Sequence, residues 1–191
     1  MRRLASLVLL LPLLAACGGL SGTNDGGYIS GNGQVVQYAA DQRGDAVTFA
    51  GKLLDGSTFD PASIAGKVTV VNIWGAWCGE CIKEAALIQG AHQKLGDAVA
   101  FLGVDIRDTS EATPQAFERA HQITYPSIYS TDGSALNAVP HGKLPGTVPA
   151  TLVLDKQGRV AAVIRGAVPS ELTLTEVVGC VQDPSGQGCG T

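Results

Sequence analysis

The chain has 191 residues, a formal net charge of −4 at pH 7, three histidines and five cysteines. No basic cluster occurs anywhere along it, which excludes nucleic-acid binding and charge-driven adhesion to anionic lipid, since both need a positive patch. Once the N-terminal export and linker segments described next are set aside, about 145 residues remain, enough for one ordinary domain and too few for two.

Residues 1–16 read as a signal peptide. Met1-Arg2-Arg3 is a short positive region, and the apolar run from Leu4 to Leu14 is too short to span a bilayer. Leu14-Ala15-Ala16-Cys17 resembles the lipobox of bacterial lipoproteins. That resemblance implies an acylated Cys17 at the mature N-terminus, anchored at the outer face of the cytoplasmic membrane; the alternative is a plain cleavable signal with a spare cysteine. Loss of Arg2 and Arg3 would take the charge from −4 to −6. Residues 17–45 are expected to be a lipidated N-terminus and flexible tether, with glycines at 18, 19, 22, 26, 27, 31 and 33. Such a linker reaches roughly 30 Å on average.

Residues 46–179 carry the pattern of a folded domain. Val47 to Leu54 reads as an edge strand or an extended entry segment, and Phe59 and Ile64 are spaced for a short helical turn. Val68 to Trp74 is apolar at nearly every position, as in a central strand covered on both faces. A helix follows from Cys78 to Leu95, then a strand from Val99 to Asp105 and a helix from Thr113 to His121, with Pro114 at an early helical position. Ala150–Leu154 and Val160–Arg165 flank Asp155-Lys156-Gln157-Gly158 as a hairpin. Ser170 is placed to cap a last helix ending near Val178-Gly179. The order β-α-β-α-β-β-α predicts an α/β fold with a mixed central sheet flanked by helices.

The chemistry concentrates at Trp77-Cys78-Gly79-Glu80-Cys81, where the central strand meets a helix. Cysteines at i and i+3 of a first helical turn are near enough to close a disulfide. The unpaired N–H groups and positive dipole of a helix N-terminus favour a thiolate on the first sulfur, the form that attacks disulfides. Glu84, three residues beyond Cys81, shares its helical face and heads an apolar stripe through Ile88 and Ala91. A partly buried carboxyl there would have a raised pKa and could exchange protons with Cys81; the alternative is a solvated surface glutamate. Trp77 would shape the rim where a substrate sulfur arrives. Cys180 and Cys189 flank a turn in the tail 180–191 and are expected to form a structural disulfide, a second redox pair being the alternative. His92, His121 and His141 are scattered, and the cysteine spacing does not suit a four-cysteine metal site, so no metal is expected.

This order of elements, with Val71-Asn72-Ile73-Trp74-Gly75-Ala76-Trp77-Cys78, a Val-Pro before the hairpin, and Thr151-Leu152-Val153-Leu154-Asp155-Lys156-Gln157-Gly158-Arg159-Val160, resembles the thioredoxin fold. The nearer likeness is to its bacterial membrane-anchored branch, typified by ResA, TlpA and DsbE. The resemblance implies that Cys78 is the exposed nucleophile and Cys81 the buried resolving thiol. It implies that Pro149 is a cis-proline facing the dithiol, that the backbone of Val148 pairs with an extended substrate, and that Glu84 handles protons. Three positions depart from the pattern: Gly79-Glu80 lacks the usual proline, Asn72 stands where cytosolic thioredoxins have a buried acid, and Ala86 replaces a common proline. The expected activity is extracytoplasmic thiol-disulfide exchange without a cofactor by a monomer. Protein disulfides are the substrates, including the Cys-x-x-Cys-His sites of apocytochrome c, and a membrane reductant recharges the dithiol. Alternatives are a disulfide-forming oxidant, a metal (copper) chaperone, or a solute-binding lipoprotein.

Overall fold

The apolar run from Val68 to Trp74 becomes β2, a strand with all seven residues buried, at the centre of a six-stranded sheet. The structure, a computed structural model, describes residue 30, residues 33–185 and residue 189. The expected signal peptide, Cys17 and the first part of the expected tether lie outside those residues. The other strands are β1 (Val35–Gln37), β3 (Val99–Ile106), β4 (Ser127–Ser130), β5 (Ala150–Leu154) and β6 (Val160–Arg165), in the order β1-β6-β5-β2-β3-β4. β2, β3 and β4 run parallel, while β5 is antiparallel to β2 and β6, and β1 is antiparallel to β6. Parallel neighbours need crossovers, and these are the helices α1 (Gly79–Leu95) and α2 (Ala112–His121). A third helix, α3 (Glu171–Gln182), is capped by the Ser170 hydroxyl, which accepts from the Thr173 N–H at 3.0 Å.

Alternation along β2 sends Val68, Val70, Asn72 and Trp74 to one face and Val71 and Ile73 to the other. The first face is covered by α1 and α3, with Ile88, Ala91, Leu174 and Val178 packed on Val70 and Val153. On the same face, Phe117 of α2 stacks on Trp74 with ring centroids 4.6 Å apart. The second face is closed by the chain around Phe49 and Phe59 and by Leu136 and Val139. Each such aliphatic side chain contributes roughly 1.5–3 kcal/mol when fully buried.

Three expectations are corrected. The tether was expected to run to residue 45, but Val35 and Val36 are buried and β1 pairs along Val163 and Ile164 of β6, so the sheet edge captures this segment. At the other end the helix runs past residue 179, because α3 reaches Gln182. Of the two readings of Val47 to Leu54, the edge strand gives way to the extended entry segment: only isolated bridges form, at Ala46–Arg159, Lys52–Thr58 and Leu53–Ile128. There Gly51 lies directly against the Ile128 side chain, where a Cβ would collide, and the chain pairs only briefly with the edge of β4: the Leu54 N–H donates to the Ser127 carbonyl at 3.0 Å and the Tyr129 N–H to the Lys52 carbonyl at 2.8 Å. β4 itself, Ser127-Ile128-Tyr129-Ser130 with Ile128 fully buried, is a short strand that the hydrophobic pattern does not announce.

Candidate active site

The dithiol sits where the C-terminal end of β2 feeds the first turn of α1. Cys78 and Cys81 are joined, with Cα atoms 5.2 Å apart. Cys78 has extended backbone (φ −93°, ψ 111°) and caps the helix: its Sγ accepts from the Cys81 N–H at 3.1 Å. A sulfur in that place takes up one of the unpaired donors of the helix start and faces the positive end of the dipole, so negative charge on it is favoured. Glu80 opposes this only weakly, because its side chain is exposed and paired with Lys83 at 2.6 Å.

Both sulfurs are covered in this oxidised form, Cys78 at 5% and Cys81 at 1% exposure. The expectation of an exposed Cys78 is therefore corrected for the disulfide state: the bridge packs against Leu54 and Trp74, with Ala76, Phe117, Tyr129 and Val148 around it. Trp77, by contrast, is 49% exposed. Its indole N–H donates to the Ile106 carbonyl at 2.9 Å, and the Arg107 guanidinium lies 5.8 Å from its ring centre. Arg107 has a φ of 64°, uncommon for a residue with a side chain. The Val148–Pro149 peptide is cis, and Val148 packs beside the disulfide.

Glu84 lies one turn beyond Cys81 on the buried face of α1 and is 1% exposed, so the solvated alternative does not hold. Its Oε1 accepts from Asn72 Nδ2 at 2.9 Å and its Oε2 from the Val168 N–H at 2.7 Å. Asn72 also donates to Thr151 Oγ1 at 3.3 Å. Burial pushes the Glu84 carboxyl from the ordinary 4.5 up to about 7, against the opposing pull of these two donors. The departure at Asn72 thus has a structural counterpart: the amide in the central strand is a partner of the acid on the helix.

A second acidic group is missing from the sequence reading. Asp105, at the end of β3, is fully buried, and Asp108 is 5% exposed with its Oδ2 accepting from the Ala76 N–H at 2.7 Å. The signal available was a pair of acids, Asp105 and Asp108, closing an otherwise apolar strand. Far from this cluster, Cys180 on α3 and Cys189 are bonded to each other, with Cα atoms 5.2 Å apart. Among the described residues no three His, Cys, Asp or Glu side chains converge as a metal site would require, and no helix is long and apolar enough to cross a membrane. The arrangement can carry out one kind of chemistry: exchange of a disulfide at a capped sulfur, with a near-neutral acid one turn behind the second thiol.

Comparison with known proteins agrees with that chemistry. Residues 43–163 match the AhpC/TSA family. The chain is 23% identical over 129 residues to the thiol-disulfide oxidoreductase ResA of Bacillus subtilis, covering 67% of this chain and 69% of that one. Among solved structures, a DsbF homologue from Corynebacterium diphtheriae is 33% identical with a TM-score of 0.68, covering 83% of this chain and 99% of the other. A secreted thiol-disulfide isomerase from Corynebacterium glutamicum is 29% identical with a TM-score of 0.66, covering 83% and 100%. The chain belongs to the AhpC/TSA family and is a thioredoxin-like thiol-disulfide oxidoreductase.

Proposed function

We propose that the protein is an exported, lipid-anchored reductant of protein disulfides. The observation that carries the reading is the pairing of Cys78 Sγ as the helix cap with Glu84, a buried acid of near-neutral pKa one turn behind Cys81. In the reduced form the Cys78 thiolate attacks one sulfur of a substrate disulfide. The substrate S–S bond breaks, its other sulfur leaves and takes a proton, and a mixed disulfide to Cys78 remains. Cys81 then gives its proton to the Glu84 carboxylate and attacks Cys78 Sγ. This forms the Cys78–Cys81 disulfide and expels the second substrate thiolate, so two electrons have passed to the substrate. Val148, before the cis bond, offers its backbone to an extended substrate, and the exposed indole of Trp77 forms the rim.

Recharging runs the same steps in reverse and requires a dithiol reductant at the membrane. The lipobox-like Leu14-Ala15-Ala16-Cys17 and the secreted relative support placement outside the cytoplasmic membrane, held through Cys17. The substrate best matched to a reductant there is the Cys-x-x-Cys-His segment of apocytochrome c, which must be reduced before haem attachment. The test uses Cys81→Ala and Cys78→Ala proteins incubated with an oxidised Cys-x-x-Cys-His peptide. Cys81→Ala should accumulate a mixed disulfide at Cys78, read by mass spectrometry, and Cys78→Ala should accumulate little. Equal trapping by the two variants would overturn the assignment of roles.

A further inference from the structure

Asp105 and Asp108 take no part in the exchange steps above, yet they lie directly behind the turn that presents Cys78. Asp105 is in register with Trp74 of β2 and Tyr129 of β4, so it shares their face of the sheet, the face that carries the disulfide. Among the described residues, no N–H or O–H donates to either carboxyl oxygen of Asp105. The neighbouring group that bears on it most strongly is a second carboxyl, that of Asp108, which is itself nearly buried. Two ionised carboxylates offer each other only lone pairs and repel. A single proton satisfies both. Asp108 already accepts from the Ala76 N–H at 2.7 Å, whereas Asp105 has no donor among the described residues. The proton therefore resides on Asp105, whose hydroxyl then donates to Asp108.

We propose that Asp105 and Asp108 share one proton and together act as positioning residues, holding the Gly75–Cys78 turn through the Ala76 N–H. The consequence for reactivity rests on the reading of Cys78 as the attacking sulfur. The groups facing the pair from each neighbouring element favour the protonated state. Glu118 of α2 adds negative charge, and Asp55 lies beyond it. The Tyr129 hydroxyl of β4 is directed to the Asp108 carbonyl at 3.0 Å and does not serve a carboxylate. Trp74 of β2 stacks its ring on Phe117, and the Arg107 guanidinium is engaged over Trp77. Lys52 is exposed and paired with Glu111 at 3.0 Å. Burial first, and then Asp108 and Glu118, raise the Asp105 carboxyl to about 8. Below that pH the pair carries one negative charge, and above it two. The second charge disfavours a thiolate on Cys78 and splits the acid pair that holds Ala76.

The experiment is a pH titration of aspartate carboxyl carbons by NMR on the full chain labelled with carbon-13, alongside the rate of Cys78 alkylation in the reduced protein, read by peptide mapping. One carboxyl should titrate near pH 8 and be missing from Asp105→Asn, which donates to Asp108 without titrating. Asp108→Asn should bring the Asp105 titration down, since the facing charge is gone. Between about pH 7.5 and 9 the alkylation rate should rise at least about threefold more in Asp105→Asn than in wild type, which acquires the second charge. Titration of every aspartate below pH 6, or the same alkylation profile in Asp105→Asn and wild type, would overturn the proposal. The carboxyl titration needs no assumption about which sulfur attacks, so failure of Cys78 trapping and failure of the acid pair are separable results.

Discussion

Replacing Glu84 by Gln removes a titrating proton while keeping the shape of the side chain, and the structure sets the size of the effect. The amide oxygen can still accept from the Val168 N–H, and Asn72 can turn its own amide to meet the new NH₂ group, with the Thr151 hydroxyl donating in place of accepting. The variant should therefore fold. The wild-type carboxyl rises from the ordinary 4.5 to about 7 on folding, because burial penalises its charge. Its stabilising contribution is complete below pH 4.5 and is lost as pH rises through 7, where the folded state must ionise it. At about 1.4 kcal/mol per decade, that loss is roughly 3 kcal/mol, and the near-complete burial of the group leaves little solvent screening to reduce it. Denaturant unfolding of the oxidised proteins at pH 4, 6 and 8 measures it. The stability of Glu84→Gln relative to wild type should improve by about 3 kcal/mol from pH 4 to pH 8, with the change confined to the window between 4.5 and 7. In stopped-flow exchange the same variant should resolve mixed disulfides more slowly, with an altered pH profile. A stability difference that does not vary with pH would show that the carboxyl is not held near 7, and it would remove Glu84 from the proton-transfer step.

Further outcomes follow from other contacts. Asp155→Ala should cost about 3–5 kcal/mol in denaturant unfolding, because Asp155 is the anion for nearly buried Arg43 at 3.1 Å and also holds Arg159 at 2.8 Å. Reduction of the chain in graded redox buffers should open Cys78–Cys81 while Cys180–Cys189 stays closed; opening of both at one potential would instead indicate a relay. Cys17→Ala should release the protein from the membrane fraction or block processing while the domain stays folded, and a variant that remains processed and membrane-bound would exclude the lipid anchor.

The centre of the fold was legible because the signals were long and local. Seven apolar residues in a row, a Cys-x-x-Cys pair and a helical stripe fix β2 and α1 without help from the rest of the chain. β1 and β4 were hidden because three and four residues are too few to set a period, and because Val35-Val36 sits beside a glycine-rich run. Their existence depends on sheet edges built elsewhere, at β6 and β3. In the site, spacing from Cys81 was enough to place Glu84 on the buried face. It could not show that Asn72, twelve residues earlier, would meet that carboxyl, or that the Val168 N–H would arrive from the segment before α3. Asp105 and Asp108 were passed over for the same reason: the chemistry of an acid at a strand end is set by which turn packs against it, here Ala76.

The reduction potential of the Cys78–Cys81 pair tests most directly whether this dithiol donates electrons. Equilibration with dithiol buffers of known potential, with alkylation and peptide mass analysis to separate this pair from Cys180–Cys189, gives the value. A reductant of protein disulfides should lie at roughly −200 to −270 mV, in the range from glutaredoxins to thioredoxin. A value near about −120 mV, that of the strong oxidant DsbA, would contradict the account and make the protein a disulfide donor.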